Sequence, residues 1–223
     1  MSTRSAAGPP DSRDQLLDAA ERLMSAKGYA GTPVSAICKA AQVAPTSLYW
    51  HFGSKEGILA AVMARGAQRW FDALPRWDES APASEPVEAL IARGAAAVSA
   101  HPIFLRLFYL LVLDGAADAT VGGLVRQVRE QARAYFAEAI TAVLTVTAGA
   151  EVARVAAAEL TRFALAFSDG CFFATQLEPD EADLVRMYGD LATALVALAP
   201  AAIARARTAT PTETTPAQRD SVR

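Results

Sequence analysis

The sequence predicts an all-α fold of about nine helices, with a small N-terminal helix-turn-helix head and a larger helical body. Three observations predict it. Apolar residues recur three and four apart along most of the 223 residues, with no alternating strand pattern and no internal repeat. Ala and Leu dominate an apolar fraction of 52%, which favours helices and is ample for a sizeable core. Between Thr32 and Leu59, two short helices fit around a turn too short to be anything but a packed helix pair.

That stretch organises the rest of the chain. Thr32 is placed to cap the first of the two helices, and Pro33 falls at its first position, where a missing N–H costs nothing. Val34, Ile37, Cys38 and Ala41 make one buried face at helical spacing. Ala41, Gln42 and Val43 form the turn. Pro45 opens the second helix, and Leu48 and Phe52, four apart, pack back on the first.

The outer face of the second helix carries Thr46, Ser47, Tyr49, Trp50 and His51, where a solvated face normally carries Glu, Lys and Gln. A helix entering a DNA major groove needs short donors and acceptors for base edges and longer groups for flanking phosphates. Lys55 follows Ser54, a good N-cap, and so sits in the first turn of the next helix. A cation there opposes the helix dipole, unless a phosphate docks at that N-terminus and favours both.

The pattern T-x-V-x-x-I-x-x-A-A-x-V-x-x-x-x-L-Y-x-H-F-x-S-K-E-x-x-L resembles the N-terminal helix-turn-helix of the TetR family of transcriptional regulators. The resemblance covers roughly the first quarter of the chain. It implies an all-α homodimer that represses at a palindromic operator in double-stranded DNA and lets go when a small molecule binds the C-terminal domain. It further implies that Thr46, Ser47 and Trp50 face bases or the groove floor, with Pro45 opening that face, while Thr32, Tyr49, His51 and Lys55 meet phosphates. Three positions depart from the family pattern. Gly is common where Gln42 stands, Ser where Ala44 stands, and Gly where Thr46 stands. The first two cost about 1 kcal/mol each, as positive-φ strain and a missing cap.

The remaining elements follow in order. Residues 1–10 are Ser/Ala/Gly/Pro-rich and predict a disordered arm. Asp11 or Ser12 caps the first helix, whose buried stripe is Leu16, Leu17, Ala20, Leu23 and Met24, and Gly28 ends it. The fourth helix starts at Ser54 and runs to Trp70 or Arg76, with Ile58, Leu59, Val62 and Met63 inward. Residues 74–86 hold three prolines and predict a loop. Val87 to Ala100, Ile103 to Leu113, Val121 to Val146, Glu151 to Leu177 and Asp180 to Leu198 are the fifth to ninth helices. His101-Pro102 breaks the fifth, Pro179 stops the eighth and Pro200 the ninth. The expected domains are a head over 11–57, a ligand-binding and dimerisation body over 58–200, and a disordered tail over 201–223. The two last helices carry apolar stripes, Ala157, Leu160, Ala164, Phe167 and Cys171 on one and Leu184, Met187, Leu191, Leu195 and Leu198 on the other. They hold more apolar surface than one domain needs, and a four-helix interface between two copies follows.

Charge supports this reading only weakly. The net charge is −3; residues 1–60 carry six Lys or Arg against five Asp or Glu, near +1, which leaves about −4 for the body. Specific contacts rather than bulk charge must carry DNA affinity. No signal peptide is visible, and the most apolar run, Leu105 to Leu113, is far too short for a membrane span. Cys38 and Cys171 have no metal or redox spacing, which suits reduced thiols in the cytoplasm. No cofactor is expected. An unidentified apolar or amphipathic ligand would use aromatic walls drawn from Trp70, Phe104, Phe108, Tyr109, Tyr135 and Phe167, with Cys171, and polar anchors from Arg106, Tyr109, Asp169 and Gln176. Arg126, Arg129, Glu130 and Arg133 read as an exposed face. An all-α enzyme is a competing reading without support from any His–Cys or His–carboxylate cluster or Gly-rich phosphate loop. A helix-turn-helix serving a protein partner is another. An activator, or a regulator without a ligand, is not separated from a repressor by sequence.

Overall fold

The computed structural model describes residues 11–74, 87–114 and 119–209, with side chains from residue 92 onward in the second segment. The expected arm, most of the 74–86 loop and the residues beyond 209 lie outside the described residues. Nine helices and no strand occur among the described residues: α1 Ser12–Lys27, α2 Val34–Ala41, α3 Pro45–Phe52, α4 Lys55–Ala73, α5 Val87–Ala100, α6 Pro102–Leu113, α7 Ala119–Ala148, α8 Ala150–Leu177 and α9 Leu184–Ala209.

Helix ends follow local chemistry. Asp11 caps α1 by accepting from the Arg13 N–H, and Gly28 at φ +75° ends it. Gly149, at φ +79°, is the only residue between α7 and α8, so the two run back along each other as a long hairpin. The ninth helix departs from expectation. It does not stop at Pro200 but continues to Ala209, so residues 201–209 belong to a helix rather than to the expected tail. A helical proline loses one hydrogen bond and crowds the carbonyl four residues back, at a cost of about 3 kcal/mol. Contacts beyond it offset that cost. Ala202 and Ala206 are buried against Ala153, Ala156 and Ala157 of α8, and Arg205 pairs with Glu159 across the same seam.

One apolar core runs from the head into the body. It begins with Leu16, Leu17 and Met24 of α1, takes in Ile37, Leu48, Ile58 and Met63, and continues through Phe104, Leu107 and Phe108 to Cys171 and Phe172. The expected head–body boundary after residue 57 therefore falls inside a continuous core, with α4 in both parts. Glycine allows α4 to approach its neighbours. A side chain at Gly57 would run into the Phe52 carbonyl at the end of α3, and one at Gly66 would run into the Phe104 ring of α6. Polar contacts tie α4 to α1 as well: Arg65 reaches Asp18 at 2.8 Å and Glu21 at 2.7 Å.

Most of the stripes expected to join two copies face inward, with Phe167, Met187 and Leu195 half-buried and Leu198 exposed. Ala157, Leu160, Ala164, Cys171, Leu184 and Leu191 are buried in this chain's own core. The apolar surplus of α8 lies on its opposite face, where Phe163, Ala166, Gly170, Phe173 and Leu177 are exposed at three- and four-residue spacing. Val185, Val196 and Leu198 of α9 are exposed too. With its extension past Pro200, α9 is long and apolar enough by length and composition to cross a bilayer, the one such single helix among the described residues.

Candidate functional site

Helices α2 and α3 are each eight residues long and meet across a turn centred on Gln42. Gln42 sits at φ +58°, ψ +35°, the one non-glycine residue with positive φ among the described residues. Its N–H and that of Val43 close the helix on the Lys39 and Cys38 carbonyls at 3.3 and 3.0 Å. Leu48 is fully buried and fixes the roll of α3, so the residues between its core contacts turn outward. Trp50 is 80% exposed and Tyr49 53%; Pro45 and Thr46 are exposed and Ser47 half-buried beside them. An indole this exposed is apolar surface left open to a partner.

Two expected phosphate contacts look different in the structure. Thr32 is not the cap of α2, whose N-cap is Pro33. Its side chain is 1% exposed, and its hydroxyl donates to the Gly28 carbonyl at 2.8 Å, stitching the end of α1 to the start of α2. A buried, occupied hydroxyl is not available to a phosphate. His51 is half-buried, with Nε2 2.9 Å from the Ser12 hydroxyl and its ring edge-on to Trp50 at 4.5 Å. It holds the end of α3 against the start of α1 and brings Arg13, whose guanidinium lies over the Phe52 ring at 5.6 Å, to the same edge. Neither Ser12 nor Arg13 is marked in the sequence as part of this surface, because the pairing spans 39 positions.

Lys55 lies in the first turn of α4, as expected, but it is held from below. Its ammonium sits 4.3 Å from the centre of the Tyr29 ring. The Tyr29 hydroxyl donates to Glu56 at 2.8 Å, and Ser54 caps the helix by accepting from the Gly57 N–H at 3.1 Å. Glu56 is held below the usual carboxylate range by its own backbone N–H, then by the Tyr29 and Ser54 hydroxyls. The helix N-terminus thus already has one anion, and Lys55 stands beside it as the outward cation.

In the body, a small cavity of about 30 Å³ lies among α4, α5, α6, α7, α8 and α9. Of the ligand candidates, Trp70, Phe104, Phe108, Tyr109 and the anchor Asp169 line it. Tyr135, Phe167, Cys171, Arg106 and Gln176 do not. Cys171 is fully buried, and burial raises its thiol to about 11. Phe136, Phe172, Tyr188, Ser168 and Arg129 complete much of the lining. Arg129 is the main correction here. Rather than joining an exposed face, it makes two parallel bonds to the Asp169 carboxylate, Nη1–Oδ1 and Nη2–Oδ2, both 2.9 Å. The Tyr109 hydroxyl donates to the same Oδ1 at 2.8 Å. Burial, then the Asp169 charge, pushes the Tyr109 phenol far above its ordinary value, so it remains a donor. The Trp70 indole N–H, in the same wall, is buried with no acceptor among the described residues. The space is about that of one water molecule, so a larger guest must part these side chains.

Comparisons with known proteins agree with this architecture. The family model described as bacterial regulatory proteins, tetR family, matches residues 16–62, which spans α1, the α2–α3 unit and the start of α4. The HTH-type transcriptional regulator UidR of Escherichia coli strain K12 is 33% identical over 78 residues, 35% of this chain and 35% of that protein's length. Among solved structures, Salmonella enterica GusR superposes with a TM-score of 0.66 at 22% identity, covering 88% of this chain and 100% of that one. A transcriptional regulator from Saccharomonospora viridis in complex with choline gives a TM-score of 0.62 at 16% identity, covering 82% and 94%. Sequence similarity is concentrated in the head, while likeness of fold extends over most of the described chain. Together they show that residues 16–62 match the tetR family of bacterial regulatory proteins and that most of the described chain shares the fold of these solved structures.

Proposed function

We propose that the chain is a DNA-binding transcriptional regulator, a homodimeric repressor of a palindromic operator that a small molecule releases. The observation that carries the DNA reading is the face of α3, where a core-locked helix holds Thr46, Ser47, Tyr49 and Trp50 outward with Lys55 and Arg13 at its edges. Short hydroxyls and an indole suit base edges and groove walls, and the flanking cations suit phosphates. Its relatives UidR, HbdR and IcaR are named as HTH-type transcriptional regulators.

The dimer reading rests on the outward stripe of α8 and the apolar length of α9, which a second copy would cover in a four-helix interface. A contiguous apolar face of this kind otherwise favours aggregation. The same cover accounts for α9 without a bilayer and fits a cytoplasmic protein. Release follows from geometry. Two recognition helices enter successive major grooves only about 34–36 Å apart, so a guest that prefers another spacing lowers DNA affinity by its differential binding. The ligand site is the aromatic cavity of the body; a neighbour of the same fold is named as a complex with choline.

The test is selection of bound DNA from a random duplex pool by the full-length protein at near-physiological salt. An enriched inverted repeat is the expected result, and its half-site spacing gives the active geometry. No enrichment by a folded dimer would favour the helix-turn-helix serving a protein partner.

A further inference from the structure

We propose that the body cavity is a site for an organic cation, an ammonium or amidinium group on an apolar body, with Asp169 as its counter-ion and Arg129 as the internal cation it displaces. The inference rests on the ligand-release reading above and supplies the chemistry of that ligand.

The sign of the charge follows from an asymmetry between the two partners. Asp169 has a short side chain on α8, and its Oδ1 also accepts from Tyr109, so it stays in the wall whatever happens opposite. Arg129 sits at the end of a long flexible stem on α7 and is 35% exposed, so its guanidinium can turn into water, where it is well solvated. A cation that takes Asp169 therefore releases a group with somewhere to go. The Asp169 side chain is itself 29% exposed, but it is short and tied to Tyr109, so an anion that takes Arg129 would leave the carboxylate beside the aromatic wall without its cation and with no stem to carry it into water. A neutral guest would leave the pair intact and have only about 30 Å³ to occupy. Departure of the guanidinium also vacates space next to the carboxylate, at the place where a cation of similar size is needed.

The walls favour the same sign. The rings of Tyr109 and Phe172 stack 4.8 Å apart, Phe108 stands edge-on to Tyr109 at 5.2 Å, and Phe136, Tyr188 and Trp70 close other sides. Aromatic faces attract cations most where water is excluded. Tyr109 remains a neutral donor to Asp169, so it orients the carboxylate without adding a second negative charge.

The experiment is calorimetric titration of the full-length protein with phenyltrimethylammonium, with tert-butylbenzene as the neutral molecule of the same shape, and with benzoate as the anion. The cation is expected to bind about tenfold or more tighter than either, the scale of a desolvated cation–π and ion-pair contact. Asp169→Asn, which keeps shape and hydrogen bonding, should reduce the cation to the affinity of the hydrocarbon. Arg129→Gln should tighten it several-fold by freeing Asp169. Circular dichroism and thermal melting establish that both variants fold. Preference for benzoate, equal binding of all three, cation binding unchanged in Asp169→Asn, or no binding of any probe would each overturn the proposal. Anisotropy of the selected duplex on the same samples separates the two readings. Specific DNA binding without cation preference removes only the cation site, and cation preference without DNA selection removes only the regulatory role.

Discussion

Trp50 places most of its indole in water on a helix whose Leu48 is fully buried. Removing the indole costs the fold little, because an exposed side chain has few contacts to lose. Trp50→Ala is therefore expected to melt like the parent while losing its preference for the selected duplex by about tenfold or more, the scale of one base contact. A variant with the parent's preference would remove Trp50 from the readout. Lys55→Ala belongs to the other class of contact. It should weaken binding to all duplexes alike and flatten the log–log salt slope by about one unit. An unchanged slope would show that its ammonium serves only the Tyr29 ring. Gln42 is the opposite case, a residue whose part is to absorb a left-handed backbone conformation at the turn.

At the scale of elements, α4 is the part on which the others depend. Its Gly57 admits the Phe52 carbonyl and its Gly66 admits the Phe104 ring. Gly66→Ala is expected to lower stability by about 1–3 kcal/mol, as overpacking does, because the ring of Phe104 is itself buried and must move. Denaturant titration measures this; a loss near zero would show that Phe104 has a second resting place. Several element boundaries were legible in the sequence because Gly28, Pro102 and Pro179 act locally, through φ and a missing N–H. Pro200 was not legible as a helical residue, because what outweighs it is the distant seam of Ala202 and Ala206 on α8. That Thr46, Tyr49 and Trp50 face outward on α3 was legible from its composition. Thr32 was misread because a threonine before a helix suits both a cap and a stitch to Gly28, and only the packing of α1 decides. The Arg129–Asp169 pair joins residues 40 positions apart on two long helices, and no short-range spacing signals it. Five of the ten ligand-site candidates and anchors line the cavity because aromatic periodicity marks a buried face without saying which neighbour closes it.

At the scale of the molecule, the outward apolar face of α8 and the buried phenols of the body set the conditions under which the protein holds together. Leu177→Glu combined with Phe163→Glu puts two charges on that face and is expected to convert a dimer to a monomer on size-exclusion chromatography with light scattering; a dimer that persists would place the interface elsewhere. Burial raises Cys171 from 9.0 to about 11 and Tyr135 and Tyr188 from 10.0 to about 12. Each of these groups ionises more readily in the unfolded chain than in the folded one. The stability they contribute is present in full below about pH 9 and is lost as pH rises through the folded values. Melting temperature under reducing conditions is thus expected to be flat below about pH 9 and to fall between about pH 9 and pH 12. A melting temperature that holds level across that range would show that these groups ionise in the native protein. The seat of Phe104 on Gly66 has one more implication. The same ring lines the body cavity and bears on the helix that carries the head. If the chain is the ligand-released regulator proposed above, whatever work a guest does on α4 through that ring bound DNA does in reverse, since coupling between two binding sites is reciprocal. A guest should therefore bind the promoter-bound protein more weakly than the free protein, by the same factor with which it loosens the grip on DNA. Screening the free protein alone would rank every inducer as more potent than the occupied promoter allows.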